Sequence, residues 1–353
     1  MRTFWLAVPV IMVCSVCDAA VSIPRGYISV QESLILKEGN DKPCVYPAPY
    51  TSTLNFHSRY EGSDSARDKV NKKAELDYEK MTKSIRQLQF FVSKKTDDIV
   101  SRGKRLGTLH CLVDGLLDWK YNSSLLEKTD NHTGKAVRKW TLAAISSSLL
   151  KLNIMLNKHE PKKYAEVKIW LTDLAEQVMK DYSNRPINKV NNHDYWAAWS
   201  VITTSAILDR MDLYNWSQSV FRTAMQQVDA DGFLPNELRR QTRATMYHNY
   251  ALMPLVGIAA FLDANNDKPF SVNQNALARL YSVVIKSVHD PLLFERETGY
   301  KQIEYNFFVS GRLSWLAIYS AIGDVDDNVK DMIEKVKPLV SSRLGGNLAI
   351  IYL

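Results

Sequence analysis

From about residue 66 onward the chain is written in helical period: apolar residues recur at three- and four-residue spacing, and no long two-residue alternation of a half-buried strand competes. The spacing predicts helices over 66–101, 108–119, 134–158, 161–182, 193–213, 216–228, 240–264, 272–289, 307–322 and 328–340. Short breaks part them at Pro161, 184–192, 229–235, 265–269 and 323–327. Two segments constrain the architecture most. In 193–213, Trp196, Trp199, Ile202 and Ile207 give a wide apolar stripe, and 240–264 is apolar almost all round beyond Ala251. Helices of this kind need partners on several sides. Antiparallel hairpins joined by short links and repeated around an axis supply those partners and leave a central cleft, an all-α (α/α) toroid. A plain stacked bundle or solenoid is the alternative, although no repeat of solenoid length is present.

Residues 23–65 are rich in Pro, Ser, Gly and Tyr and read as an irregular arm. At the start, Arg2 precedes an apolar run from Phe4 to Val16 followed by small residues, so 1–20 reads as a secretory signal, with 21–65 as the arm and 66–353 as the helical domain. The run is too short to span a bilayer comfortably, and no other stretch of about 18 apolar residues exists. The mature chain is therefore expected to be secreted, soluble and free of the membrane after cleavage. Cleavage removes Cys14 and Cys17 and leaves Cys44 and Cys111 in an oxidising compartment, where a disulfide is expected; two buried free thiols are the alternative. Asn122, Asn131 and Asn215 each begin a glycosylation sequon. With 46% hydrophobic and 24% charged residues, the 353-residue chain can bury one large core. A monomer is expected, since no exposed apolar repeat demands a partner. The formal charge of +7 favours an anionic partner. Export and the lack of a nucleic-acid motif point away from nucleic acid and toward an acidic polysaccharide.

Two clusters carry chemistry suited to such a polymer. Arg243 and Tyr250 are seven residues apart, two turns along one face of the expected 240–264 helix. Asn191-Asn192-His193-Asp194-Tyr195-Trp196 sets amides, an imidazole and aromatic rings at the start of another helix. Breaking a polyuronate by β-elimination means removing the proton on C5 and expelling the glycosidic oxygen at C4. The neighbouring carboxylate opposes this, so donors and cations must bind it more strongly as charge develops. Asn192, His193 and Arg243 are suited to that task. Tyr250 can take the proton and return it to the leaving oxygen when both lie on one side of the sugar, provided that cations such as Arg243 and Arg343 favour its phenolate. His193 is either the base for the opposite stereochemistry or a neutraliser of substrate charge.

In combination and in order, RYEGSDSAR (59–67), NNHDYW (191–196), DGFLPNEL (231–238), RATMYHNYAL (243–252) and SSRLGG (341–346) resemble the motifs of polysaccharide lyase family 5, the alginate lyases. The resemblance spans Cys44 to Gly346. It implies an incomplete (α/α) barrel, no cofactor or essential metal, and a preference for β-D-mannuronate, whose H5 and O4 share a face. It implies Tyr250 as acid and base, His193 as neutraliser or alternative base, and Asn192 and Arg243 on the carboxylate with Arg343 nearby. Arg59 and Tyr60 match a mobile lid, which thus begins in the 21–65 segment. Lysine is the family's residue where this chain has Arg59, and a guanidinium differs from an ammonium in geometry and proton affinity.

Several residues have plainer readings. Tyr195 and Trp196 either stack on sugar rings or fill the core, and Tyr195 is assigned to a subsite. His248, two residues before Tyr250, points elsewhere on the helix and is taken as structural. Arg239 and Arg240 are taken as solvated surface charges. Competing functions are a lyase of another polyuronate such as glucuronan, a glycoside hydrolase using Glu237 and Asp194, and a non-catalytic polysaccharide-binding protein.

Overall fold

The computed structural model describes residues 20–38, 43–61, 69–102, 106–309 and 311–353. Nearly all of the expected signal, with Cys14 and Cys17, lies outside the described residues, as does most of the RYEGSDSAR motif beyond Glu61. Helices are α1 (Arg25–Ser33), α2 (Lys72–Met81), α3 (Lys83–Arg102), α4 (Leu106–Tyr121), α5 (His132–Leu149), α6 (Asn153–His159), α7 (Pro161–Tyr182) and α8 (Asn192–Leu208). They continue with α9 (Met211–Gln227), α10 (Pro235–Leu238), α11 (Ala244–Ala264), α12 (Ala276–His289), α13 (Leu293–Thr298), α14 (Leu316–Ile322), α15 (Asp327–Val336) and α16 (Ala349–Tyr352). Between α15 and α16 a small antiparallel hairpin pairs β1 (Val340–Ser341) with β2 (Gly346–Asn347).

The helices form two layers of an α/α toroid. Inside, α8 packs on both α5 and α11; outside, α7 and α9 flank α8, while α3 lies against α5 and α12 and α14 against α11. Burial follows from sequence. In α8 fourteen of seventeen residues are buried, as an inner helix with neighbours on every side requires. In α9 the buried residues Leu213, Tyr214, Ser217, Phe221, Ala224 and Met225 fall on one stripe, as an outer helix with a solvent face requires. The first turns of α5, α8 and α11 all open on the same cleft, so three positive helix termini face it. Among the described residues, no helix is long and apolar enough to cross a membrane.

The structure corrects several expected boundaries. Within the supposedly irregular arm, α1 forms because Tyr27 and Gln31, one turn apart, bury against the core, Tyr27 lying near Phe261 and Tyr352. The expected 240–264 helix starts only at Ala244: Gln241 turns the chain with φ +49°, and Arg243 sits in the preceding 3₁₀ turn. Arg243 and Tyr250 therefore do not share one continuous helical face. The helix expected over 328–340 stops at Val336, because Lys337 precedes Pro338 and is held extended.

Cys44 and Cys111 are joined, with Cα atoms 5.4 Å apart, so the arm is tied to α4 across a sequence separation of 67. Replacing both by serine should lower the unfolding free energy by up to about 4 kcal/mol through the freed loop. The midpoint of urea unfolding measures it; an unchanged midpoint would mean that packing alone holds the arm.

Candidate active site

The cleft has a volume of about 640 Å³, and its wall is drawn from segments between Ser58 and Arg343 that are far apart in the chain. Arginines 59, 86, 240, 312 and 343 line it together with His132 and His193, against a single acidic residue, Glu79, among the described residues. This imbalance suits a polyanion.

The NNHDYW stretch builds the start of α8 and divides its labour. Asn191 caps the helix: its side chain accepts the His193 N–H at 3.0 Å, and Asp194 accepts the Asn191 N–H at 2.9 Å. Arg185 fastens Asp194 from 2.5 Å. Asn192 and His193 are thereby turned into the cleft. The Asn192 Nδ2 reaches both oxygens of buried Glu237, at 3.0 and 3.1 Å, and its backbone N–H donates to Glu237 at 2.6 Å. This fixes the amide orientation and leaves Asn192 Oδ1, an acceptor buried in the cleft wall, with no partner among the described residues. Burial pushes the Glu237 carboxyl up, partly offset by Arg240 and the Asn192 donors.

Tyr250 lies two turns into α11, where its hydroxyl accepts a hydrogen bond from Arg343 Nη1 at 2.8 Å. Burial pushes its phenol above the ordinary value, while Arg343, by charge and by hydrogen bond, and Arg59 pull it back. The phenol thus rests protonated. Two indoles of α8 fix the pair: Trp196 Nε1 donates to the Tyr250 carbonyl at 3.1 Å and Trp199 Nε1 to the Arg343 carbonyl at 2.8 Å. Arg343 also stacks over Trp140 at 4.3 Å.

The SSRLGG motif is the hairpin tip that carries Arg343. Gly345 and Gly346 have φ of +101° and +96°, a region that disfavours side chains, and Gly346 passes so close to Asp97 that a Cβ would collide with its carboxylate. Asp97 in turn accepts the Asn347 N–H at 2.8 Å and pairs with buried Lys151 at 2.6 Å.

Other expected positions land differently. Arg59 lines the cleft over the Tyr78 ring at 4.6 Å, and the Tyr60 hydroxyl meets that of Tyr247 at 3.2 Å. Arg243 is not among the residues lining the cleft; its guanidinium lies 5.5 Å from the Tyr60 ring. The cation that this segment does present is Arg240, expected on the surface but buried over the Tyr247 ring at 4.3 Å and 3.9 Å from Glu237. Arg239 is exposed as expected. Tyr195 is corrected from subsite to core: it is fully buried one turn beyond the cap, and its hydroxyl donates to Gln227 at 2.8 Å. Glu237 and Asp194, the conceivable hydrolase pair, are both buried and line no part of the cleft.

Two residues went unnoticed in sequence. Lys139, fully buried on α5, brings Nζ to 2.7 Å from His193 Nδ1, and His132 Nε2 lies 3.3 Å from His193 Nε2. For Lys139 the signal was weak but present, since the run from Trp140 to Leu150 that follows it carries no charge and reads as an enclosed helix; His132 carried none. Burial, reinforced by the charges of Lys139 and His132, holds the His193 imidazole well below its ordinary value.

A helical toroid whose cleft pairs an arginine-bound tyrosine with an asparagine, an imidazole and a surplus of guanidiniums defines a polysaccharide lyase. Residues 55–294 match the family model described as alginate lyase. The chain is 40% identical over 341 residues to an alginate lyase of Pseudomonas putida, covering 95% of this chain and 91% of that protein. It is 38% identical over 337 residues to one from Cobetia marina, covering 93% and 88%. Its fold matches alginate lyase A1-III of Sphingomonas species A1 with a TM-score of 0.77 at 20% identity, over 95% and 98% of the two chains. A variant of A1-III complexed with tetrasaccharide matches at 0.79. The chain belongs to the alginate lyase family, polysaccharide lyase family 5.

His248 proves structural: its Nε2 accepts the Leu234 N–H at 2.9 Å and Nδ1 donates to the Ala244 carbonyl at 2.8 Å, pinning the DGFLPNEL loop to α11. Burial lowers it to about 4, below the unfolded value of 6.5. Its folded form is neutral, so its contribution to stability is complete above pH 6.5 and is lost as pH falls toward 4. For this buried ring the loss is about 3 kcal/mol. Urea midpoints between pH 7 and 4.5 should fall more steeply for the parent than for His248→Gln; equal slopes would refute the assignment.

Proposed function

We propose that this protein is a secreted alginate lyase that cuts mannuronate-rich chains by metal-free β-elimination. Its carrying observation is the Tyr250 hydroxyl bound to Arg343 within a cleft that also presents Asn192 and His193. The A1-III complex with tetrasaccharide supports binding of an oligosaccharide in the same fold. Charge neutralisation is assigned to the histidine and arginine side chains that line the cleft.

The steps follow from the geometry. Tyr250, as phenolate held by Arg343, takes H5 from the uronate, and the electron pair moves into the C4–C5 bond as the bond from C4 to O4 breaks. The phenol so formed gives its proton to O4, which regenerates the phenolate. His193 and the Arg240 and Arg343 guanidiniums bind the carboxylate while it carries the extra charge, and Arg243 adds positive charge beside Tyr60. Asn192, expected on the carboxylate, has its N–H groups engaged by Glu237 and offers only Oδ1, which suits a sugar hydroxyl. Arg59 and Tyr60 cover the substrate. The new chain end bears a 4,5-unsaturated uronate. Mannuronate places H5 and O4 on one face, within reach of one tyrosine.

Since burial outweighs the cations at Tyr250, the active phenolate is the minor form at neutral pH. The logarithm of kcat/KM on polymannuronate should therefore rise with pH across the neutral range, and Arg343→Met should lower it at every pH in that range. Ultraviolet absorbance on polymannuronate, polyguluronate and glucuronan tests the activity itself. Absorbance should rise fastest on polymannuronate, and Tyr250→Phe should abolish it while binding persists. New reducing ends without absorbance would mean hydrolysis and overturn the reading; near-parent turnover by Tyr250→Phe would remove Tyr250 from its role.

A further inference from the structure

We propose that Lys139 is a positioning residue that holds His193 with its proton on Nε2, so that the imidazole meets the uronate as a hydrogen-bond donor and is unavailable as a base. This rests on the lyase reading and chooses between the two roles open to His193.

The two ring nitrogens face different surroundings. Nδ1 points to the interior, 2.7 Å from Lys139 Nζ, and Nε2 points to His132 on the cleft wall, at 3.3 Å. Lys139 is itself enclosed: Nζ is 3.0 Å from the Tyr182 hydroxyl, with the Tyr182 ring centre at 4.4 Å and that of Trp140 at 5.3 Å. As an ammonium, Nζ carries three protons and no lone pair, so Nδ1 must accept from it. As an amine, Nζ has one lone pair, and the buried Tyr182 hydroxyl has no other acceptor among the described residues. It turns its proton to that lone pair and leaves an Nζ–H for Nδ1. Both forms occupy the Nδ1 lone pair, and a neutral imidazole then carries its proton on Nε2.

Burial first, and then the charged neighbours, keep the ring neutral. Around Lys139 stand Asp194 and Arg185 from the start of α8 and its approach, Asp181 and Tyr182 from α7, and Arg343 from the hairpin; around His193 stand His132 and Arg240 as well. Burial lowers Lys139 and His193 together, and the surrounding cations lower His193 further. An imidazole without a free lone pair toward the cleft can bind a carboxylate but cannot accept H5. Guluronate presents H5 on the face opposite O4, where a second base is required. Lys139 therefore restricts the site to the polymer that one tyrosine can cleave.

Nitrogen-15 spectra of the full chain at neutral pH decide the tautomer without reference to activity, with His193→Gln identifying the signals. Expected are an unprotonated Nδ1 and a protonated Nε2; an unprotonated Nε2 in the parent protein overturns the proposal. Lys139→Met should mix the two tautomers, lower kcat on polymannuronate roughly tenfold with KM little changed, and raise the ratio of polyguluronate to polymannuronate cleavage. Lys139→Gln, which keeps an N–H donor, should restore the Nε2–H form and most of the rate. Should Lys139→Met not fold, the parent spectrum still decides. A parent protein with the expected spectrum but no lysis of any polymer would sink the lyase reading alone.

Discussion

The site depends on one helix that has no solvent face. Because α8 is enclosed by α5, α7, α9 and α11, its two indole N–H groups must find partners inside the protein. They find the carbonyls of Tyr250 and Arg343. One buried helix thus sets the distance between a phenol from α11 and a guanidinium from a hairpin 93 residues further along the chain. Its own first turn adds Asn192 and His193, aimed by the Asn191 cap and by Glu237. The packing that stabilises the core also assembles the chemistry.

Two opposing electrostatic effects meet in this cleft. Desolvation raises the phenol of Tyr250 and the carboxyl of Glu237, and lowers the ammonium of Lys139 and the imidazole of His193. The guanidiniums act against it at the phenol. A site that is short of negative charge and lined by fixed guanidiniums gives an incoming carboxylate strong partners without prior reorganisation. Among the described residues the wall carries one acidic group, Glu79, and so no pair of facing carboxyls of the kind a hydrolase uses.

Much of the site was legible. NNHDYW announced a helix start with polar groups, and Tyr250, Asn192, His193, Arg59, Tyr60 and Arg343 were nominated from motifs; all six line the cleft. What failed was reasoning from spacing across a break. Seven residues between Arg243 and Tyr250 imply a shared face only if the helix is continuous, and Gln241 and the 3₁₀ turn deny that, so Arg240 takes the place in the wall. Tyr195 failed for a related reason: on a helix enclosed on all sides, an aromatic residue one turn past the cap faces the core as readily as the cleft. Lys139 escaped notice because a cation in sequence reads as solvated, and only its neighbours reveal that it is not.

The sequence by itself determined the helical class, since periodicity and breaks are local properties or nearly so, and it raised the expectation of a Cys44–Cys111 bond that the structure meets. It also marked the motifs of a polyuronate lyase. Only the tertiary structure decided which arginines face the cleft, that Tyr250 is bound by Arg343, and that Lys139 and Glu237 stand behind His193 and Asn192. Those are contacts between residues 45 to 93 positions apart, set by how inner helices meet around an axis, and no local pattern encodes them.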